Sequence, residues 1–279
     1  MAAALINGRP SDCLSVTDRG LQYGDGLFET IAAHDGRAVL LAEHLQRLRN
    51  GCQRLRLPIP DIAGITRQIA SLAHEAGTPA VIKLIVTRGS AGRGYAPAPD
   101  ASPTIILSRH PFPDYPSVWW RDGIVARWCD MRLGRNPRLA GTKHLNRLEQ
   151  VLARAEWTDS TISEGIMRDS KGRVIEGVMS NLFVLKDNRL HSPKLDESGV
   201  DGIMRRQVLR LADDHGFRTH IATMTRTDVL SADALLFSNS LIGLWPVRRL
   251  ATHLFEPAAF PTRLIAATRA LARGEEVAR

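Results

Sequence analysis

Lys143 is the residue whose type and position best suit covalent chemistry on a carbonyl group. It follows Gly141-Thr142 and precedes an amphipathic stretch, so we expect it where a strand meets a helix. A Schiff base needs an amine that is neutral part of the time, and burial lowers the pKa of a lysine. Spacing alone favours a solvated lysine in a first helical turn, so its role as a nucleophile depends on what surrounds it.

A carboxylate at position 176 is the best candidate partner for a cationic ring nitrogen. Glu176 follows Val174-Ile175 and precedes Gly177 in a predicted strand. A carboxylate on a half-buried strand is costly unless it is paired. A pyridinium nitrogen would be such a partner, because the carboxylate keeps the ring protonated and the ring becomes an electron sink. The alternative, a strand residue that faces solvent, is favoured by spacing alone.

Three further segments have the chemistry to bind a phosphate. Residues 202–204 (GIM) open a predicted helix, whose free N–H groups and dipole favour an anion. Residues 238–240 (SNS) follow a predicted buried strand and offer N–H and hydroxyl donors, and Arg47 lies off the apolar stripe of its helix. Each has a simpler alternative: a helix cap, a turn or, for Arg47, a surface ion pair with Glu43 four residues earlier.

The hydrophobic pattern predicts two α+β units that position these groups. Apolar residues recur every three or four positions from Leu41 to Leu55, which predicts a helix that Pro58 ends. A proline-rich linker at 113–117 is predicted to separate an N-terminal domain, 1–112, from a C-terminal domain, 118–279, that carries Lys143. The other predicted elements are helices at 62–75, 143–157 (with Leu145, Leu148, Leu152 and Ala155 on one face), 202–215 and from 261, and strands at 80–87, 104–108, 123–128 and 234–237.

Composition narrows the class of protein. The 279 residues are 44% apolar and 24% charged, enough for a sizeable core, and no apolar run approaches the roughly 18–20 residues that span a bilayer. The three cysteines are far apart and form no CxxC, which argues against a disulfide framework or a zinc site and favours the reducing cytoplasm.

The net charge of +8 fits an ordinary basic surface, a cleft that attracts an anionic substrate, or nucleic-acid binding. Scattered basic residues and only 5% aromatic content disfavour nucleic acid.

These segments stand in a distinctive order along the chain: His44-x-x-Arg47-Leu48, Lys143, Glu176-x-x-x-Ser-Asn181-Leu-Phe183, Gly202-Ile-Met-Arg205 and Ser238-Asn239-Ser240. The order resembles the fold-type IV enzymes that depend on pyridoxal 5'-phosphate, the family of branched-chain and D-amino-acid aminotransferases and 4-amino-4-deoxychorismate lyase. The resemblance runs from Leu5 to Val247. It implies a two-domain, branched-chain-aminotransferase-like α+β fold with the cofactor in the cleft between the domains.

The resemblance also implies a role for each candidate residue. Lys143 would bind the cofactor as a Schiff base and act as the catalytic base, and Glu176 would pair with the pyridinium nitrogen. Thr30 matches a threonine over the cofactor that assists proton transfer. The groups implied around the phosphate are Arg47, the amides of Ile203 and Met204, and Asn239 with Ser240. Because the family is mostly dimeric, a homodimer is expected.

Three stretches resemble the lyase branch in particular: 18–28 (DRGLQYGDGLF), 90–95 (SAGRGY) and 132–150 (RLGRNPRLAGTKHLNRLEQ). One departure is Glu29-Thr30, where some lyases have two threonines. The implied reaction turns aminodeoxychorismate into 4-aminobenzoate and pyruvate. Its substrate carries two carboxylates, for which the candidate ligands are Arg93, Arg132 and Arg135.

Two alternatives stay open. A D-amino-acid or branched-chain aminotransferase would need the same Lys143 and Glu176 on the same fold. A basic binding protein without enzymatic activity would need neither.

Overall fold

The computed structural model describes residues 4–276 and divides the chain into two compact units, which we describe separately. The first unit comprises residues up to 113 together with 142–146, and the second comprises 114–141 and the chain from 147 onward. The sequence predicted that the C-terminal domain carries Lys143, but its segment packs with the first unit. Tyr115, in the predicted linker, packs in the second unit, with its ring centroid 4.8 Å from that of Trp245.

The first unit is built on one antiparallel sheet of six strands, in the order β2-β1-β6-β5-β3-β4. Its central strands are rich in Val and Ile and buried over most of their length, as the sequence predicted for 80–87. The strands are β1 (Leu5–Ile6), β2 (Arg9–Pro10), β3 (Gly26–His34), β4 (Arg37–Ala38), β5 (Ala80–Thr87) and β6 (Thr104–Pro111).

Helices α1 (Arg19–Tyr23), α2 (Leu41–Leu55) and α3 (Ile62–His74) complete the first unit. The bounds predicted for α2 are confirmed, and α3 ends one residue earlier than predicted. The apolar stripes of α2 and α3 form one core with alternate residues of β3 and β5. This packing leaves the other face of β3, with Phe28 and Thr30, free of the core.

The second unit is built on a sheet of nine strands, in the order β12-β11-β10-β13-β14-β7-β8-β9, with β15 beside β14. Strand β9 also pairs with β10, so the six strands from β10 to β9 close into a ring. The strands are β7 (Ile124–Leu133), β8 (Ile162–Asp169), β9 (Val174–Gly177), β10 (Asn181–Lys186), β11 (Arg189–Pro193), β12 (Arg218–Ala222), β13 (Ala234–Asn239), β14 (Gly243–Leu250) and β15 (His253–Leu254).

The helices of the second unit are α4 (Val118–Asp122), α5 (Leu148–Arg154), α6 (Ile203–Asp214), α7 (Arg226–Leu230) and α8 (Thr262–Ala272). The prediction of α6 is confirmed to within a residue at each end, and α8 lies where a C-terminal helix was expected. Within residues 4–276, no helix is long and apolar enough to cross a bilayer.

The helix predicted over 143–157 was wrong at its start, because α5 begins only at Leu148. Lys143 and Leu145 are instead bonded to β3, with Phe28 N donating to Lys143 O at 3.0 Å and Leu145 N donating to Gly26 O at 3.0 Å. These backbone bonds hold the segment extended. The expected face of α5 also points to solvent, since Leu148 is 68% exposed and Leu152 50%.

Candidate active site

Lys143 lies in the first unit on a short extended segment against the edge of β3. Its side-chain Nζ is 4.2 Å from the centroid of the Phe28 ring. The face of an aromatic ring attracts a cationic amine, so Phe28 holds the end of the lysine side chain over β3. A Cβ at Gly26 would lie 2.8 Å from Leu145 Cδ1 and 2.5 Å from Val86 O, so only glycine lets the lysine segment approach this closely.

Thr30 lies on the same face of β3 as Phe28, because alternate residues of a strand share a face. Thr30 is half-buried and pairs in register with Lys83 of β5. Lys83 Nζ is 5.9 Å from the centroid of the Phe28 ring, which therefore has two lysines near it. Sequence reasoning missed Lys83, although it is the one charged residue in an otherwise apolar strand (AVIKLIVT).

The guanidinium of Arg47 is buried in the first unit and pairs with Glu29 of β3. Arg47 Nε donates to Glu29 Oε1 at 2.8 Å, its Nη2 donates to Oε2, and His44 Nδ1 lies 2.6 Å from Oε2. Burial alone would raise the pKa of Glu29, but the charge and hydrogen bonds of Arg47, with those of His44, lower it to about 2. The partner in the structure is thus Glu29 and not the Glu43 that the spacing offered. The role of Arg47 at a phosphate stays a prediction.

Glu176 lies at the third position of β9 and is 4% exposed. Its Oε2 accepts a hydrogen bond from Val200 N at 2.8 Å. Arg147, which sequence reasoning did not single out, is close by: burial lowers the pKa of Arg147, and the charge of Glu176 opposes that effect. The one feature of the sequence that could have pointed to Arg147 is its position four residues after Lys143. Glu176 is therefore a buried carboxylate, the kind of group that is costly unless it has hydrogen-bonding or cationic partners.

The N-terminus of α6 offers backbone N–H groups for an anion. Gly202 is the N-cap residue, and no side chain in residues 4–276 caps it. Ile203 and Met204 are each 1% exposed, so their side chains anchor the first turn. A Cβ at Gly202 would lie 2.0 Å from Asn181 Oδ1, so glycine is needed where β10 meets this helix. Free N–H groups and the helix dipole suit a phosphate here.

Asn239 is the last residue of β13 and Ser240 begins the turn that follows, and the side chain of Asn239 already has partners. Its Oδ1 accepts from Leu241 N at 2.9 Å and Ile242 N at 3.1 Å, and its Nδ2 donates to Met179 O at 3.3 Å. The Asn239 side chain therefore shapes the turn. The backbone N–H groups and the Ser240 hydroxyl are the groups of this segment that remain to bind a phosphate.

The three arginines predicted to bind carboxylates have different environments. Arg93 is exposed in the loop between β5 and β6, and this glycine-rich loop is anchored by Arg19, which donates to Gly94 O at 2.9 Å and Tyr95 O at 3.0 Å. Arg135 donates to Glu197 through Nε at 3.0 Å and through Nη2, so its charge is already paired.

Arg132 belongs to a group of arginines around Trp128. It pairs in register with Arg168, whose guanidinium lies 5.4 Å from the Trp128 ring centroid, and the guanidinium of Arg226 lies 5.0 Å from the same ring. Burial, and then the charges of Arg132 and Arg226, lower the pKa of Arg168. A positive group of this kind suits an anion.

Comparison with known proteins gives consistent matches over most of the chain. The family model described as amino-transferase class IV matches residues 26–250. Aminodeoxychorismate lyase of Vibrio harveyi is 38% identical over 244 residues, 87% of this chain and 89% of that protein. A solved 4-amino-4-deoxychorismate lyase from Pseudomonas aeruginosa superimposes with a TM-score of 0.90 at 46% identity, covering 94% of this chain and 96% of that one. Branched-chain amino acid aminotransferase from Escherichia coli superimposes with a TM-score of 0.85 at 25% identity, covering 98% and 95%.

Proposed function

Because the chain belongs to the class IV aminotransferase family, we propose that it is a lyase dependent on pyridoxal 5'-phosphate (PLP) that converts 4-amino-4-deoxychorismate into 4-aminobenzoate and pyruvate. The observation that carries the proposal is the higher identity with the Vibrio and Pseudomonas lyases than with the E. coli aminotransferase, over nearly the whole chain. Since the fold serves both reactions, this specific similarity is what favours the lyase.

The chain has the donor groups that PLP requires. These are the amine of Lys143, the buried carboxylate of Glu176 and the backbone N–H groups at the start of α6. When bound, PLP supplies a cationic ring that accepts the electron pair left after a proton is removed from the substrate. We assign Lys143 to the carbonyl carbon of the cofactor, Glu176 to its ring nitrogen, and Ile203, Met204, Asn239, Ser240 and Arg47 to its phosphate.

Lys143 has the central task of moving a proton. Lys143 Nζ would be the base that removes the proton from the ring carbon of the substrate that bears nitrogen. The C–O bond on the neighbouring carbon would then break, so that the six-membered ring becomes aromatic and the released enolpyruvate takes up a proton to become pyruvate. Phe28 keeps the amine over β3, and Thr30 on the same face assists the proton transfer.

Glu176 keeps a proton on the ring nitrogen, because a buried carboxylate favours a positive partner. The hydrogen bond from Val200 N holds one oxygen of Glu176 in place. The substrate carries two carboxylates, which we assign to Arg93 and Arg132, with Arg135 in a supporting position because it is paired to Glu197. The net charge of +8 would speed the approach of such a dianion.

We also propose a homodimer in the cytoplasm. On α5 the side chains of Leu148, Val151 and Leu152 are 50–68% exposed, and exposed apolar clusters of this kind commonly mark an interface between subunits. The buried, unpaired Cys52 and Cys129 suit a reducing compartment. Sedimentation at micromolar concentration should give twice the 30.8 kDa mass of one chain. A species of 30.8 kDa alone would contradict the dimer.

An aminotransferase of branched-chain amino acids is the second candidate. It is favoured by relatives named as branched-chain-amino-acid aminotransferases, among them a putative one from Methanocaldococcus jannaschii that is 33% identical over 242 residues, 84% of this chain and 81% of that protein. The proposed function is tested by incubating the purified holoenzyme with aminodeoxychorismate. Pyruvate and 4-aminobenzoate should form in equal amounts, and Lys143→Ala should form neither. Consumption of substrate without pyruvate would contradict the elimination.

A further inference from the structure

Glu164, in the middle of β8, is a buried carboxylate that none of the assignments above uses. It is 2% exposed, and the groups that contact it are uncharged hydrogen-bond donors. Its Oε1 accepts from Gly165 N at 2.8 Å and Val178 N at 3.0 Å, and its Oε2 accepts from Ser180 Oγ at 2.6 Å and Met179 N at 3.3 Å. Burying a carboxylate without a cation is costly, so this arrangement needs an explanation beyond packing.

Three of the four donors belong to one tight turn, residues 177–180, between β9 and β10. Within the turn Gly177 N donates to Ser180 O at 2.7 Å. A Cβ at Gly177 would lie 2.4 Å from Ser180 Oγ and 2.9 Å from Glu164 Oε2, so the turn closes around the carboxylate only with glycine at this position. The turn therefore folds around the carboxylate of Glu164, which accepts hydrogen bonds from three of its residues.

The turn is joined directly to the residues assigned to the cofactor. Glu176 immediately precedes it, and Asn181, which follows it, pairs in register with Glu176. Met179 O accepts the hydrogen bond from Asn239 Nδ2 at 3.3 Å. A shift of the turn would thus move Glu176, assigned to the ring nitrogen, and the Asn239 turn, assigned to the phosphate.

The donors around Glu164 call for acceptor oxygens at this position. Burial raises the pKa of the Glu164 carboxyl above its ordinary value, and the hydrogen bonds from Ser180, Gly165, Met179 and Val178 only partly offset that rise. Three of the four partners are backbone amides, which can only donate, so both oxygens of Glu164 are placed to accept. An amide at this position would place an NH₂ group against donors, which removes acceptors the turn requires.

We propose that Glu164 is a positioning residue for Glu176: its carboxylate sets the turn at 177–180 and thereby the orientation of the carboxylate that holds the proton on the ring nitrogen of PLP. This inference rests on the proposed function, because it takes Glu176 as the partner of that nitrogen. It predicts that replacing the Glu164 carboxyl by an amide reproduces, in weaker form, the effect of the same replacement at Glu176.

The test compares the holoenzymes of Glu164→Gln, Glu176→Gln and the double variant. Glu164→Gln should lower kcat roughly 10-fold or more, as misplaced catalytic groups do, with little change in KM. It should also move the pH midpoint of the visible absorbance of the bound cofactor in the same direction as Glu176→Gln. Because Glu164 acts mainly through Glu176, adding Glu164→Gln to Glu176→Gln should lower kcat by a smaller factor than Glu164→Gln does in the wild type.

Glu156→Gln is the matched control, because Glu156 also accepts backbone hydrogen bonds, from Asp130 N at 2.8 Å and Met131 N at 2.7 Å. It should leave the absorbance midpoint unchanged. If Glu164→Gln does not fold, Ser180→Ala removes one donor and should shift the same midpoint by a smaller amount.

An unchanged pH midpoint of the cofactor absorbance in folded Glu164→Gln overturns the inference. If Glu164→Gln does not fold, an unchanged midpoint in Ser180→Ala overturns it instead. A double variant in which the two losses of kcat are fully additive also overturns it. If Glu176→Gln itself leaves the absorbance unchanged, the assignment of Glu176 fails and the inference fails with it. If Glu176→Gln shifts the absorbance and Glu164→Gln does not, only the inference fails.

Discussion

Replacing Glu29 with glutamine is expected to destabilise the protein by about 3 kcal/mol at neutral pH. The pKa of Glu29 is about 2, against an ordinary value of 4.5, and each tenfold change in proton affinity is worth about 1.4 kcal/mol. A lowered pKa gives stability that is complete above pH 4.5 and is lost as the pH falls towards 2. Replacing Glu29 destabilises the protein because it leaves the charge of the buried Arg47 uncompensated.

The assay is urea unfolding followed by far-ultraviolet circular dichroism, at pH 7 and pH 3, on wild type and Glu29→Gln. At pH 3 Glu29 contributes about 2 kcal/mol less to the free energy of unfolding than it does at pH 7. The difference in free energy of unfolding between wild type and Glu29→Gln should therefore be smaller by that amount at pH 3. Glu43→Gln, in the first turn of α2, is the control and should change stability by less than about 0.5 kcal/mol. The reasoning would be refuted if wild type and Glu29→Gln differed by less than about 1 kcal/mol in free energy of unfolding at pH 7, or if the difference were the same at both pH values.

Three further predictions concern the site and the thiols. Lys143→Ala should lose the visible absorbance of bound PLP and all lyase activity, and a borohydride-reducible adduct in this variant would show that another lysine binds the cofactor. Glu176→Gln should keep the fold but lose roughly 10²-fold or more in kcat; near-wild-type turnover with PLP bound would exclude it as the partner of the ring nitrogen. Burial raises the pKa of Cys52 to about 11 and of Cys129 to about 12, so at pH 8 a thiol reagent should label the exposed Cys13 quickly and these two only after unfolding, as mass spectrometry would show. Rapid labelling of Cys52 or Cys129 in the native protein would be inconsistent with their burial.

The elements that the sequence predicted well are those whose pattern is local. The stripe of α2 and the Val- and Ile-rich run of β5 carry their own periodicity, so both sets of bounds match the structure. The resemblance to the fold-type IV family is confirmed by the family model and by the structural comparison. It could be recognised because its motifs keep their order along the chain even where each is individually weak.

The errors arise where distant segments meet. The start of α5 was wrong because backbone bonds to β3, more than 100 residues earlier in the chain, hold Lys143 and Leu145 extended. The partner of Arg47 is 18 residues away on another element, whereas sequence reasoning offered only a neighbour in the same helix. Glu164 gave no signal, because a lone glutamate in a strand looks like a solvent-facing residue until the turn that surrounds it is known.

The lyase assignment is tested most directly by a comparison of kcat/KM between reactions. The purified enzyme is offered aminodeoxychorismate in one vessel and D-alanine or L-leucine with 2-oxoglutarate in others. We expect pyruvate and fluorescent 4-aminobenzoate from the first at a far higher kcat/KM than any transamination. A higher kcat/KM for transamination would contradict the account and make the protein an aminotransferase, with Lys143 and Glu176 in the same roles.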